Sequence, residues 1–183
     1  MATPRAQPPE KSADYLNVIS RAVFSAGLSW AIIDAKWDAF EEAFEGFELS
    51  KVAAMSEPVI ERLAADARLI SSRKKIAATV ENAKALLAIE REHGSIRAWL
   101  DSFPTYDEAA RAVSRTFKYL SKTFGAYYFL YIASAKIPDF PAFEQWSKQT
   151  GEVHPRMREL VAAREQRKVG GPSRKPQPLK RRR

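Results

Sequence analysis

From Asp14 onward, apolar residues fall at Tyr15, Val18, Ile19, Ala22, Val23 and Ala26, the stripe of an amphipathic helix. Gly27 is placed to end it, since glycine takes the left-handed backbone of a helix C-terminus without a Cβ clash. Ser29 is placed to cap a second helix, with Trp30, Ile33, Trp37, Phe40 and Phe44 on one face. Ser50 can cap a short helix containing Lys51–Met55, and Ser56 with Pro58 starts another that ends near Ala67. Ser72 opens a long helix through Ile76, Val80, Ala83 and Leu87, which Gly94 stops, and Ser95 caps a short one to Phe103. Thr105 and Glu108 have the spacing of a capping box, predicting a helix through Ala112 and Thr116. After a break at residues 117–121 the pattern resumes as a helix from Lys122 to about Ala135. Pro138 and Pro141 interrupt, and Pro155 can begin a last helix to Arg167. No strand-period alternation appears, so the expected class is all-α with about nine short helices.

Composition adds boundaries. Residues 1–11 are polar and Pro-rich and read as a disordered N-terminus, residues 12–167 as one helical domain, and residues 168–183 as a flexible basic tail. There is no cysteine, so thiolate metal sites and disulfides are excluded, and two histidines alone cannot fill a zinc shell. No metal and no cofactor are therefore expected. The N-terminus has no apolar run of the secretory kind, and the longest apolar stretch, residues 124–135, is too short to span a bilayer. These features predict a cytoplasmic protein with no membrane association; a monomer is expected, although nothing in the sequence itself bears on oligomeric state. Net charge is +8, yet eight of the 30 Lys/Arg follow Gln166 and no acid does. Before that point 22 basic residues face 22 acidic ones, so the excess resides in the tail.

Two blocks carry the most information: Ala26-Gly27-Leu28-Ser29-Trp30 and, 21 residues after the tryptophan, Lys51-Val52-Ala53-Ala54-Met55. With Glu61-Arg62-Leu63, Asp66, Ile70, Arg73, Lys75-Ile76 and Asn82-Ala83 they form a stretch from about Ile19 to about Ala85. This stretch resembles the first half of the DNA-3-methyladenine glycosylase I family, whose members remove alkylated adenine from DNA. The resemblance implies a helix–hairpin–helix DNA glycosylase-like fold, a double-stranded DNA partner bearing an alkylated base, and hydrolysis of the N-glycosidic bond in base-excision repair. It also marks departures. Ala22 stands where the family carries its pocket glutamate, and the family's zinc ligands are absent. The enzyme class implied is a DNA glycosylase in which Ala22 replaces the usual carboxylate; the alternative is a non-catalytic DNA- or damage-binding module on the same scaffold.

Such an enzyme turns the base out of the duplex and holds it against aromatic rings. From spacing alone Trp30 reads as core, like Trp37; the resemblance assigns it to the base pocket. Two carboxylates are candidates to replace the missing glutamate: Asp34, one helical turn beyond Trp30, and Asp101, where relatives usually have a tryptophan. Their plain reading is as solvated surface acids. The family places its DNA-gripping hairpin at residues 117–124, which implicates Lys118, Ser121, Lys122 and Thr123 as phosphate contacts, although Thr116 and Ser121 occupy positions where relatives use glycine. The match at Arg73 and Lys75 implies a further phosphate contact at the start of the long helix. Each of these basic turns reads equally well as solvated surface.

Overall fold

The computed structural model describes residues 9–122 and 124–134, with the side chains of Trp30 and Phe124 outside that description. Eight α-helices and one 3-10 turn are present among the described residues, and no strand. In chain order they are α1 (Ser12–Ser25), α2 (Trp30–Ala43), the 3-10 turn Glu45–Phe47, α3 (Leu49–Ala53), α4 (Glu57–Ala65), α5 (Arg73–His93), α6 (Ile96–Asp101), α7 (Tyr106–Thr116) and α8 (Phe124–Ser134). The all-α class and the helix–hairpin–helix, here α7, the turn at 117–121 and α8, are those expected. The last helix predicted from Pro155, the N-terminal segment 1–8 and the basic tail lie outside the described residues.

Most positions of the apolar stripes read from the sequence are buried; Leu87 of the α5 stripe is exposed, and Ala26 is exposed just past the end of α1. On α1, Tyr15, Leu16, Ile19, Ala22 and Val23 are in the core, and on α2 Ile33, Trp37 and Phe40 are, with Phe44 at its C-terminal cap. α5 is the central strut, packing against α1, α3, α4 and α6, while α8 packs against α1, α6 and α7. The core is ring-rich: Trp37 stacks on Phe40 at 5.2 Å and on Phe47 at 5.6 Å between centroids. Phe47 is fully buried although its φ is 59°, beside Glu45 at 54° and Gly46 at 63°. Left-handed Glu45 and Phe47 cost about 1–2 kcal/mol each, against about 1.5–3 kcal/mol for burying Phe47 and about 0.5–1.5 kcal/mol for each of its ring contacts with Trp37 and Phe44. The ring stack is therefore large enough to hold the turn.

Helix boundaries differ from expectation in instructive ways. α1 begins at Ser12 because Asp14 accepts the backbone N–H groups of Glu10 and Lys11, at 3.0 and 2.9 Å. Ser50 does not cap α3. The left-handed turn delivers the chain one residue pair earlier, Glu48 becomes the N-cap, and the Ser50 hydroxyl donates to Glu48 Oε1 at 2.8 Å. Ser29, Ser56 and Ser72 hold the predicted N-cap positions, but their hydroxyls accept no helix N–H. Ser95 and the Thr105–Glu108 capping box form as predicted. α8 starts at Phe124, with the Ser121 hydroxyl accepting the Gly125 N–H at 3.1 Å.

Candidate functional site

The junction of α1 and α2 is a tight reversal. Gly27 at φ 84° follows the end of α1, and Trp30 is the first residue of α2. The junction is tied from below by α5. Lys75 Nζ donates to Ala26 O at 2.9 Å and Phe24 O at 3.3 Å, satisfying carbonyls that the end of α1 leaves without helical partners. Burial pushes the Lys75 ammonium below the ordinary lysine value. Ala22, one turn before the end of α1, is 2% exposed and brings no polar side-chain atom to this region. Next to it in sequence, Arg21 pairs with Asp34 at 2.7 Å and lies 4.5 Å from the centroid of the Trp37 ring.

The second region is the turn between α7 and α8. Its backbone is held by Asn82, a carboxamide only 1% exposed on α5. Asn82 Oδ1 accepts the Lys118 N–H at 2.7 Å, and Asn82 Nδ2 donates to Lys118 O at 3.2 Å. Both halves of one buried amide are thus satisfied by the N–H and the carbonyl of one residue, Lys118, which removes the desolvation cost of an unpaired polar group. The next residue, Tyr119, has φ 58° and is 56% exposed. Gly125 lies so close to the turn that a Cβ there would stand 2.8 Å from Leu120 Cδ1 and 3.2 Å from Leu120 Cα.

The structure therefore sorts the predicted residues by setting. Asp34 sits at the α1–α2 junction and is ion-paired to Arg21. Asp101 is elsewhere: it pairs with Arg97 at 2.8 Å, and both act electrostatically on Tyr15, seven residues before Ala22 on α1. Lys118, Ser121 and Lys122 are together and exposed on the turn; Thr123 lies outside the described residues. Arg73 is exposed but engaged by Glu57 and Glu61 of α4. Lys75 is engaged by the carbonyls of α1. The backbone of Trp30 opens α2, and its side chain is outside the description. Sequence reasoning gave no role to the Asn82 amide, although an asparagine seven residues after Lys75, hence on the same helical face, signals a buried polar contact. An open groove of about 480 Å³ lined by Glu42, Glu45, Arg62, Asp66 and Arg68 contains none of the predicted residues. Among the described residues no group of His, Cys, Asp or Glu is arranged to hold a metal ion.

Comparison with known proteins bears on both regions. The family model described as methyladenine glycosylase matches residues 7–126. A DNA-3-methyladenine glycosylase of Haemophilus influenzae is 35% identical over 109 residues, covering 51% of this chain and 59% of its own length. DNA-3-methyladenine glycosylase 1 of Escherichia coli is 44% identical over 66 residues, covering 36% of this chain and 35% of its own. The chain thus spans 59% and 35% of the lengths of these curated relatives. A solved structure concerned with 3-methyladenine recognition by 3-methyladenine DNA glycosylase I from Staphylococcus aureus has a TM-score of 0.61 and 28% sequence identity. It covers 75% of this chain and 85% of that one.

Proposed function

The chain belongs to the methyladenine glycosylase family, and from that membership we propose that it hydrolyses the N-glycosidic bond of alkylated adenine in double-stranded DNA, the opening step of base-excision repair. The observation that carries this reading is the family match, which runs through both the α1–α2 junction and the α7–α8 turn. Water adds to the sugar C1′ as the bond to the base breaks, and the proton it loses passes to solvent. Adenine methylated at N3 is cationic within DNA and leaves as a neutral molecule, so its departure needs no general acid. What the protein must supply is a place for the flipped base and stabilisation of the positive charge that builds on the sugar.

Trp30, at the first turn of α2, is assigned to stack on the base, where an electron-rich face favours a cation by about 0.5–2 kcal/mol. Asp34 is the carboxylate at the same junction, and Arg21 shares its charge. Asp101 stands with Arg97 near Tyr15 and is the weaker candidate. Lys118, Ser121, Lys122 and Thr123 are assigned to the DNA backbone. Arg73 and Lys75, each already partnered, are assigned to hold α4 and the α1 terminus in place. We place the protein in the cytoplasm as a monomer; no helix among the described residues is long and apolar enough to cross a membrane.

One observation favours a second reading. The buried, apolar Ala22 offers neither charge nor hydrogen bond where the family resemblance places a glutamate, which fits a module that binds damaged DNA without cleaving it. The two readings separate in one assay: chromatographic detection of free 3-methyladenine released from methylated duplex DNA, beside a Trp30→Ala control. Release that is lost in the control supports hydrolysis. Duplex binding without release, at high protein excess, supports the binding module.

A further inference from the structure

From Ala109 to Ser134 the chain carries no acid and four cations, Arg111, Arg115, Lys118 and Lys122. All four are exposed, and among the described residues none is in an ion pair. Lys51, Arg68, Arg73, Lys84 and Arg97 each have a carboxylate partner, while Lys36, Arg62 and Lys74 share the lack of one among the described residues. Arg111 and Arg115 lie four residues apart on α7, on the side away from its buried Ala109, Ala110 and Val113. The exposed Asp107 and Glu108 share that side at the first turn, N-terminal to both arginines, and Arg111 Nε donates to Asp107 O at 3.1 Å. Four residues of helix advance about 6 Å, close to two phosphate steps of about 3.4 Å each along one DNA strand. Two arginines so spaced can reach alternate phosphates of one strand. The turn that follows them is rigidly presented. A tyrosine held at φ 58° is strained, costs on the order of 1–3 kcal/mol, and here stays exposed with its neighbour Lys118 clamped by Asn82.

We propose that the exposed face of α7 is a second phosphate-binding surface, on which Arg111 and Arg115 extend the contact of the α7–α8 turn along duplex DNA, with Tyr119 packing against the nucleic acid at the tip. The proposal rests on the reading of the chain as a DNA-acting protein and deepens it: it adds residues on a separate helix to those of the turn. Neutralising phosphates releases counterions, so each lost contact lowers the slope of log affinity against log salt by about one. The test is fluorescence anisotropy with a labelled duplex between about 50 and 200 mM salt. The double variant Arg111→Gln/Arg115→Gln is expected to flatten the slope by about two, whereas Lys51→Gln on α3 leaves it unchanged. Tyr119→Gly separates fold from contact. Glycine accepts this backbone freely, so the melting temperature holds or rises, while binding weakens about fivefold or more at every salt concentration.

A slope unchanged in the double arginine variant, with the helical circular dichroism intact, overturns the proposal. So does an equal flattening in Lys51→Gln, or a Tyr119→Gly protein that binds like the parent. Base release measured on the same preparations keeps the two readings apart. A parent protein that releases base while the arginine variant keeps the parent slope refutes this surface alone. A parent that binds with the expected slopes but releases nothing refutes the hydrolytic reading alone.

Discussion

Lys75 and Asp34 are both charged residues at the α1–α2 junction, and their surroundings give them different tasks. The Lys75 ammonium is spent on Phe24 O and Ala26 O. Lys75→Met leaves both carbonyls short of a donor, and we expect it to lower unfolding free energy by about 1–3 kcal/mol, measured by urea denaturation. The pH dependence has a definite sign. Burial places the folded-state value below the reference 10.5, so within that window the unfolded chain holds more protons and stability rises with pH. The stability difference between parent and Lys75→Met should therefore move in the parent's favour as pH climbs toward 10.5. Asp34→Asn tests the other task. If its charge supports the developing positive sugar, single-turnover base release falls by about tenfold or more with duplex affinity unchanged; equal release in the two proteins removes Asp34 from the reaction. In the sequence the family resemblance implied a phosphate contact for Lys75, with solvated surface as the equal reading. Its carbonyl partners lie 49 and 51 residues away, beyond any local pattern.

Among the elements, α5 joins the two regions. Lys75 and Asn82 are seven residues apart on one face, about 10 Å along the axis, and each fixes the backbone of a different element. α5 thus sets the spacing between the α1–α2 junction and the α7–α8 turn through two side chains. Gly125→Ala should disturb that turn, because the added carbon meets the Leu120 backbone as well as its side chain. A loss of about 1–3 kcal/mol is expected, read as a lower melting temperature together with weaker duplex binding. Helix capping gives a contrast within one protein. Thr105→Ala breaks a formed capping box and should cost about 1 kcal/mol, whereas Ser56→Ala, whose hydroxyl caps nothing, should stay within about 0.5 kcal/mol. Apolar periodicity made the helices and their buried faces legible, since burial of a stripe requires only that stripe. Cap chemistry was legible at Thr105, where the acceptor and its reciprocal partner lie three residues apart. It was illegible at Ser50, where a left-handed turn held by distant rings moved the helix start.

At the scale of the whole molecule, charge is distributed in two ways. The tail beyond Gln166 holds eight cations and no acid, and the acid-free run from Ala109 to Ser134 holds four more. Deleting residues 168–183 should flatten the salt dependence of duplex binding while leaving single-turnover base release at low salt near the parent rate; loss of release on deletion would place the tail within the reacting complex. The family blocks from Ile19 to Ala85 made the overall fold readable in the sequence. The acid-free run was equally visible there, but only the structure shows its cations exposed and, among the described residues, without ion partners. The Asn82 clamp has one more consequence, in the currency of hydrogen–deuterium exchange. Lys118 is an exposed residue in a turn, where amides ordinarily exchange through small local fluctuations. Its N–H is instead closed off by a buried side chain of the longest helix. That single amide should exchange as slowly as the interior of α5, making it a clock for the opening of the whole helical unit that can be read with no DNA present.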